Sequence, residues 1–425
     1  MNTHSKAIQD AKSIFRVCSG NFLEMYDFAV YGFYASFIAQ VFFPSHNQFI
    51  SVMMSFMAFG AGFLMRPVGA IILGAYMDKH GRKKGLIITL SLMAVGTLSI
   101  AATPSYEQIG ISAPIIVVIG RLLQGFSAGA ELGGVSVYLA EIAPKNKKGF
   151  YVSWQSASQQ VATIVAGLFG VGLHYILGDL VVSEWGWRIP FIFGCLVVPF
   201  LLVIRKTLQE TPEFEAKKSL GIIKTTEILL DMFRNWKIMT LGALFVMMTT
   251  VTFYFITSYT PTFASTILHL SRLDSFLITA IIGASNFFWL PVMGLLSDRI
   301  GRKPILISTT LLSILTAYPA MYFLAHHITF TNLVVVELWL SFIYGSYNGA
   351  MVVALSEVMP SSVRVLGFSL TYSLAVAVFG GFTPVISTYF IHLTDNKAMP
   401  GIWLSIAGVC SLFATIVLLR KRSHA

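Results

Sequence analysis

The sequence predicts an all-α integral membrane protein of twelve transmembrane helices, arranged as two pseudo-symmetric six-helix halves. Three observations predict it. Of the 425 residues, 56% are hydrophobic and only 11% charged, with a mean hydropathy of +0.74, whereas a soluble domain carries about 25% charged residues. Gly74-Ala75-Tyr76-Met77-Asp78-Lys79-His80-Gly81-Arg82-Lys83 and Gly294-Leu295-Leu296-Ser297-Asp298-Arg299-Ile300-Gly301-Arg302-Lys303 match at five of ten positions, 220 residues apart. In both copies an apolar stretch ends in an acid, a glycine turn and a basic cluster, the pattern of a short loop on the positive side of a bilayer.

A bilayer span needs about 20 apolar residues, and with that ruler the first six spans fall near 14–42, 52–77, 84–103, 112–141, 151–178 and 187–206. The second six fall near 237–264, 272–298, 303–324, 331–359, 364–392 and 399–420. Between them, 207–236 is polar and carries alternating charges (Glu210, Glu213, Glu215, Lys217, Lys218, Lys224, Glu227, Asp231, Arg234). It reads as a cytoplasmic linker. The expected division is therefore an N-terminal half, 1–206, the linker 207–236 and a C-terminal half, 237–425. Met1–Ser13 lacks the apolar core of a removable signal peptide and reads as a cytoplasmic tail. Cys18, Cys195 and Cys410 are scattered among apolar residues and suggest neither disulfides nor a metal cluster.

The net charge of +10 does not indicate nucleic acid, because the basic residues are confined to loops. With both termini placed in the cytoplasm, most of the 29 Lys and Arg fall on that side, as the positive-inside rule requires. Arg188, Arg272 and Lys397 sit at predicted outer ends, and only Arg66 and Arg121 remain within spans. The same subtraction leaves four acids inside: Glu24, Asp27, Glu131 and Glu337. Each mid-membrane charge costs about 2.5–3.5 kcal/mol, so all of these uncompensated would cost roughly 15–20 kcal/mol, more than a typical domain's stability of about 5–15 kcal/mol. They must pair, protonate or face water.

Glu24 and Asp27 are three apart and share a helix face. Like charges placed so favour proton uptake, which suits a proton carrier and is the favoured reading; the alternative is that the pair anchors the first span to a neighbouring arginine. Arg121 opens Arg121-Leu122-Leu123-Gln124-Gly125-Phe126-Ser127-Ala128-Gly129, where small residues allow close helix approach, and its guanidinium needs an anion: Glu24, Asp27 or a substrate carboxylate. The fourth and tenth spans superpose at a spacing of 216, Gly129 on Gly345 and Glu141 on Glu357, which sets Arg121 on Glu337. Glu337 is then either complementary to Arg121 or a wetted helix end. Arg66 falls on Asn286 at the 220 spacing, and both are candidates for a central cavity. Gln155 and Gln159, Tyr254 and Tyr259, and Tyr344 and Asn348 are further polar candidates, while Pro261, Pro291 and Pro384 are candidate kinks.

Both glycine-acid-basic loops fit the signature G-x-x-x-D-[RK]-x-G-R-[RK] of the major facilitator superfamily, and Arg121–Gly129 looks like its fourth-helix motif. Asn21-Phe22-Leu23-Glu24-Met25-Tyr26-Asp27-Phe28, Arg66-Pro67-Val68-Gly69 and Trp185-Gly186-Trp187-Arg188-Ile189-Pro190-Phe191 resemble the metabolite:proton symporter branch. Ser153–Gln160, Thr252–Thr257 and Tyr347–Met351 look most like its bacterial citrate and tricarballylate carriers, although Glu337 stands where an apolar residue is expected in citrate carriers. The resemblance implies the major facilitator fold, a multi-pass protein of the bacterial inner membrane with both termini cytoplasmic, and a latch formed by Asp78 and Arg82 with Asp298 and Arg302 as its repeat. The fifth span lacks the proline of drug–proton antiporters, which favours uptake.

Importing a trianion into a negative-inside cell costs roughly 7 kcal/mol per 100 mV, at about 2.3 per charge, so cation coupling is required. The expected function is proton-coupled uptake of a tricarboxylate. Arg66 and Arg121 are the expected anion ligands, with Gln155, Asn286 and Asn348 as neutral donors and Glu24 and Asp27 as proton sites. No cofactor or metal is expected, the coupling ion is H+ with Na+ as the alternative, and the partners are the substrate anion and the lipid bilayer, with the chain a monomer. The alternative is a symporter of a dicarboxylate or a zwitterion such as betaine or proline. An enzyme is not expected: there is no HExxH, and the adjacent His326-His327 project differently. A receptor without transport would usually carry an appended cytoplasmic domain, which is not expected here.

Overall fold

A computed structural model describes residues 20–80, 82–129, 132–144, 146–206, 234–359 and 364–420. Among them the chain runs as twelve helical rods. In the first half these are α1 (Gly20–Phe33, continued by Ala35–Phe42), α2 (Gln48–His80), α3 (Arg82–Ala102), α4 (Ser112–Ala128, continued by Leu132–Ile142), α5 (Lys148–Glu184) and α6 (Ile189–Lys206). In the second they are α7 (Trp236–Ile267), α8 (Arg272–Ile300), α9 (Arg302–His326), α10 (Phe330–Val358), α11 (Arg364–Ala375 and on to Thr383–Thr394) and α12 (Met399–Arg420). Each occupies an expected span, with ends that differ by a turn or two. Eight of the described helices are long and apolar enough to cross a membrane. Helices suit such residues because each satisfies its own backbone hydrogen bonds where no water can. The connection 207–236 lies almost wholly outside the described residues, with α7 beginning at Trp236.

In hydrocarbon no hydrophobic force drives helices together, so small residues that let backbones approach carry much of the packing. The α2–α4 contact depends on them: a Cβ on Gly125 would strike the Gly62 carbonyl oxygen, and one on Gly69 the Phe126 carbonyl. The duplication reappears in this packing. Gly129 lies against Arg66 and Ala70 of α2, while its repeat Gly345 lies against Trp289 and Leu290 of α8.

The two halves meet along two seams. On one, antiparallel α5 and α8 touch from Gly149 against Gly294, through Trp154 against Phe287 (ring centroids 5.7 Å), to Gly170 against Phe276. On the other, Gly60 of α2 faces Phe382 of α11, and Gly381 faces Phe63. Aromatic side chains of α1 close the end opposite the basic loops, with Tyr34 and Phe276 at 5.0 Å, Phe37 and His174 at 6.1 Å, and the Arg272 guanidinium 4.3 Å from the Phe37 ring. The basic end is closed by the repeat described below. Contacts between the halves thus exist at both ends, with the space between them occluded.

Of the expected kinks, Pro261 lies between π-helical stretches Phe255–Tyr259 and Phe263–Ile267, and Pro384 follows the π-helical Val376–Gly380. A proline lacks the amide that continues an α ladder, and π turns re-partner the freed carbonyls. Pro291 sits inside the continuous α8.

Replacing Gly125 with Leu should force α2 and α4 apart, at a cost of about 1–3 kcal/mol or more for overpacking. The expected outcome is a lower melting temperature of the detergent-solubilised protein; unchanged melting would show that the contact yields easily.

Candidate functional site

Between the halves lies a cavity of about 20 Å³, lined by Met25 of α1, Arg66 of α2, Gln159 of α5, Thr250, Phe253 and Tyr254 of α7, Tyr344 of α10, and Tyr372 and Val376 of α11. It has room for one or two waters. Four of these residues, Arg66, Gln159, Tyr254 and Tyr344, are polar candidates of the sequence. Thr250 and Tyr372 were not singled out, since a lone Thr or Tyr in an apolar span carries no periodic or motif signal.

Arg66 is held by Glu24, its Nη2 donating to Oε1 at 2.9 Å, and its guanidinium lies 4.6 Å from the Phe28 ring and 4.9 Å from Phe63. Both side chains are 3% exposed. A cation stripped of water gains from a carboxylate and from aromatic faces together.

Arg121 is fully buried and does not line the cavity. It stands within the first half among the rings of Phe28 (4.6 Å), Tyr31 (4.4 Å) and Phe59 (5.1 Å), so Phe28 serves both guanidinium groups. Its Nη1 donates to Gln124 Oε1 at 2.7 Å, Gln124 Nε2 donates to Thr97 Oγ1 at 2.9 Å, and Thr97 Oγ1 reaches Asp27 Oδ2 at 2.5 Å. The chain joins a cation to a carboxylate through two neutral groups. Among the described residues, Asp27 Oδ1 and Arg121 Nε and Nη2 find no hydrogen-bond partner.

Glu24 and Asp27 meet different partners, Glu24 the Arg66 guanidinium and Asp27 the Thr97 hydroxyl. Glu24 turns to α2 and Asp27 to α3, because three residues along a helix still leave an angle between side chains and each finds its own partner. Glu337 is no wetted helix end: it is fully buried, and its Oε1 shares a hydrogen bond with Thr260 Oγ1 at 2.8 Å, not with Arg121. Its alignment with Arg121 reflects matching places in two copies, which lie in different halves.

The neutral donors are buried, and none lines the cavity. Asn286 bridges the α5–α8 seam, donating to Gln160 Oε1 at 3.1 Å and accepting from Ser341 Oγ at 2.7 Å. Gln155 accepts from Ser156 at 2.9 Å while its Nε2 is unpartnered. Asn348 reaches Tyr344 Oη at 3.4 Å, with its Oδ1 unpartnered.

At the basic end, Asp298 is set on the last turn of α8, which closes at Gly301 (φ 93°), a left-handed conformation that favours glycine. Its two oxygens accept the Gly149 and Phe150 amides at 2.8 and 2.9 Å, so a carboxylate from one half caps the first turn of α5 in the other, where the helix dipole favours negative charge. Arg302 Nη1 lies 2.7 Å from Asp298 and its Nη2 3.8 Å from Glu357. The side chains of Asp78 and Arg82, and Glu131 altogether, lie outside the described residues. Gly125-Phe126-Ser127-Ala128-Gly129 also spells the G-x-S-x-G pattern of a hydrolase nucleophile, which requires a strand-to-helix elbow. Here it lies in and at the end of a helix, with Ser127 Oγ donating to the Thr89 carbonyl at 2.5 Å.

A duplicated bundle sealed at both ends around a charged cavity is the architecture of a secondary membrane transporter. The chain belongs to the Major Facilitator Superfamily, whose profile matches residues 17–384. It is 57% identical over 413 residues to the citrate-proton symporter of Klebsiella pneumoniae, covering 97% of this chain and 93% of that relative. It is 32% identical over 419 residues to the proline/betaine transporter of Escherichia coli K12, covering 96% and 83%. The structure of the xylose transporter from E. coli, in a partially occluded inward-open conformation, superposes with a TM-score of 0.73 at 17% identity, covering 96% of both chains, which supports the fold.

Arg66→Ala should strand the buried Glu24 carboxylate at a cost of about 3–5 kcal/mol and lower the melting temperature in detergent. Glu24→Gln combined with Arg66→Gln should recover most of the loss. A double variant as unstable as Arg66→Ala would show that charge pairing is not the cause.

Proposed function

We propose that this transporter takes up a tricarboxylate, citrate being the first candidate, in symport with protons across the bacterial inner membrane. The observation that carries this reading is a guanidinium at a cavity shared by both halves, in a chain 57% identical to a citrate-proton symporter over nearly its whole length. Arginine offers planar paired donors suited to a carboxylate. Import of three negative charges against the membrane potential needs cation coupling, and a buried acid that takes up a proton supplies it. Asp27 suits that role, since its hydrogen-bonded chain leads to Arg121 and one oxygen is unused.

A small-molecule site usually encloses about 300–1,000 Å³, far more than the cavity of about 20 Å³, so substrate enters only when the halves, 1–206 and 237–425, part across the linker 207–236. In that opened state Arg121 and Gln155, whose unused atoms are N–H groups, join Arg66 as donors, and Asn348 donates through the amide nitrogen that now meets Tyr344. Asn286, bonded to Gln160 and Ser341, belongs to the seam that must separate. The basic end is assigned to the cytoplasm with both termini, the chain works as a monomer, and Asp298 with Arg302 latches that side shut, with Asp78 and Arg82 as the counterpart pair.

A zwitterionic osmolyte is the second reading, favoured by the 32% identity to a proline/betaine transporter. Labelled citrate uptake into proteoliposomes under an imposed proton gradient decides between them. Tricarballylate should compete, betaine and proline should not, and sodium should be dispensable. Arg66→Ala and Arg121→Ala, once correctly inserted, should each abolish uptake, and accumulation by both would refute the anion site. Asp298→Asn should insert normally yet slow uptake about fivefold or more, within the usual range of conformational coupling; an unchanged rate would remove the latch.

A further inference from the structure

The carboxylate of Glu337 is unlike the other buried acids. It is fully buried seven residues into α10, about 10 Å from the helix start at 1.5 Å per residue. Among the described residues no charged side chain from α5, α7, α8, α9 or α11 forms an ion pair with it, whereas Glu24 has Arg66 and Asp27 has a chain leading to Arg121. Among the described residues its Oε2 has no hydrogen-bond partner, and Thr260 of α7 is the polar group that meets Oε1. An ionised carboxylate in that setting is strongly disfavoured.

Thr260 makes the arrangement more than a neutralised acid. Its hydroxyl lies 2.8 Å from Glu337 Oε1 and 3.1 Å from the Phe255 carbonyl oxygen, yet it has a single hydrogen. With Glu337 protonated, the carboxyl donates to Thr260 and Thr260 donates to Phe255, so both contacts are satisfied. With Glu337 ionised, Thr260 must turn its hydrogen to the carboxylate, which leaves that carbonyl with the Thr260 amide alone. The carbonyl belongs to the π-helical stretch Phe255–Tyr259, and that stretch seals the end opposite the basic loops. Ser258 packs on Gly32 of α1, the Tyr259 ring lies 5.6 Å from Phe56 of α2, and Tyr259 Oη receives Thr388 of α11 at 3.0 Å.

We infer that Glu337 is a second proton-binding site, in the C-terminal half, loaded when the π-helical segment of α7 opens to solvent and held closed through Thr260. This deepens the proposed symport and rests on it for its role in coupling: a substrate with three negative charges needs more than one carrier acid. The opening of α7 carries Thr260 away and admits water, so proton exchange and gate movement are one event.

Two measurements on the full-length reconstituted protein test this. Infrared difference spectra between acid and alkaline buffer, without substrate, should contain a protonated-carboxyl carbonyl band in the wild type that is missing in Glu337→Gln; coincident spectra overturn the proposal whatever the substrate proves to be. In proteoliposomes, Glu337→Gln should retain equilibrium exchange of labelled citrate within about twofold while gradient-driven net uptake falls about tenfold or more, in keeping with the size of coupling free energies. Unimpaired net uptake, or parallel loss of exchange and uptake, overturns the coupling role. A wild type that moves no citrate refutes the citrate reading, while the infrared band still decides the site.

Discussion

The structure depends on keeping two guanidinium groups inside a bundle that offers them almost no water. Arg66 and Arg121 cannot neutralise themselves by losing a proton at physiological pH, so the surrounding helices must supply compensation. They do it differently. Arg66 receives a carboxylate directly, and Arg121 receives three aromatic rings and a polar relay to Asp27. Phe28 stands close to both, which couples the two cations through one ring and makes α1 the element on which both sites converge.

This division separates two tasks that a transporter must link. Under the proposed function, the group facing the cavity, now paired with Glu24, is the one offered to an anion, and the group behind it connects to an acid by hydrogen bonds. Transport needs those rearrangements to move helices. The seams between the halves suit such movement because they rely on backbone proximity at small residues and on a few polar bridges, such as Asn286 to Gln160 and Asp298 to the first turn of α5. Bonds of that kind can break at one end of the molecule while the other end stays closed.

Much of the fold was legible in the amino-acid order, since span length, the repeated loop and the basic clusters are local signals. Arg66 was legible too, because a charge in an apolar span is conspicuous on its own. The separate partners of Glu24 and Asp27 were not legible. Their spacing is identical whether they act together or diverge, and only neighbouring helices decide. The position of Glu337 was equally open, since a residue seven places from a helix start is wetted or sealed according to what α7 places over it. Tyr372 and Thr250 escaped notice because nothing local distinguishes a cavity-lining hydroxyl from a packing one.

The sequence by itself determined that this chain spans a membrane as a duplicated helical bundle, because hydrophobicity, repeat and loop charge act over stretches no longer than a helix and a turn. Tertiary structure alone decided which buried charge meets which partner. Those pairings join residues from different helices and both halves, and the energy of a buried charge depends on the few atoms within hydrogen-bonding reach, which no spacing along the chain specifies.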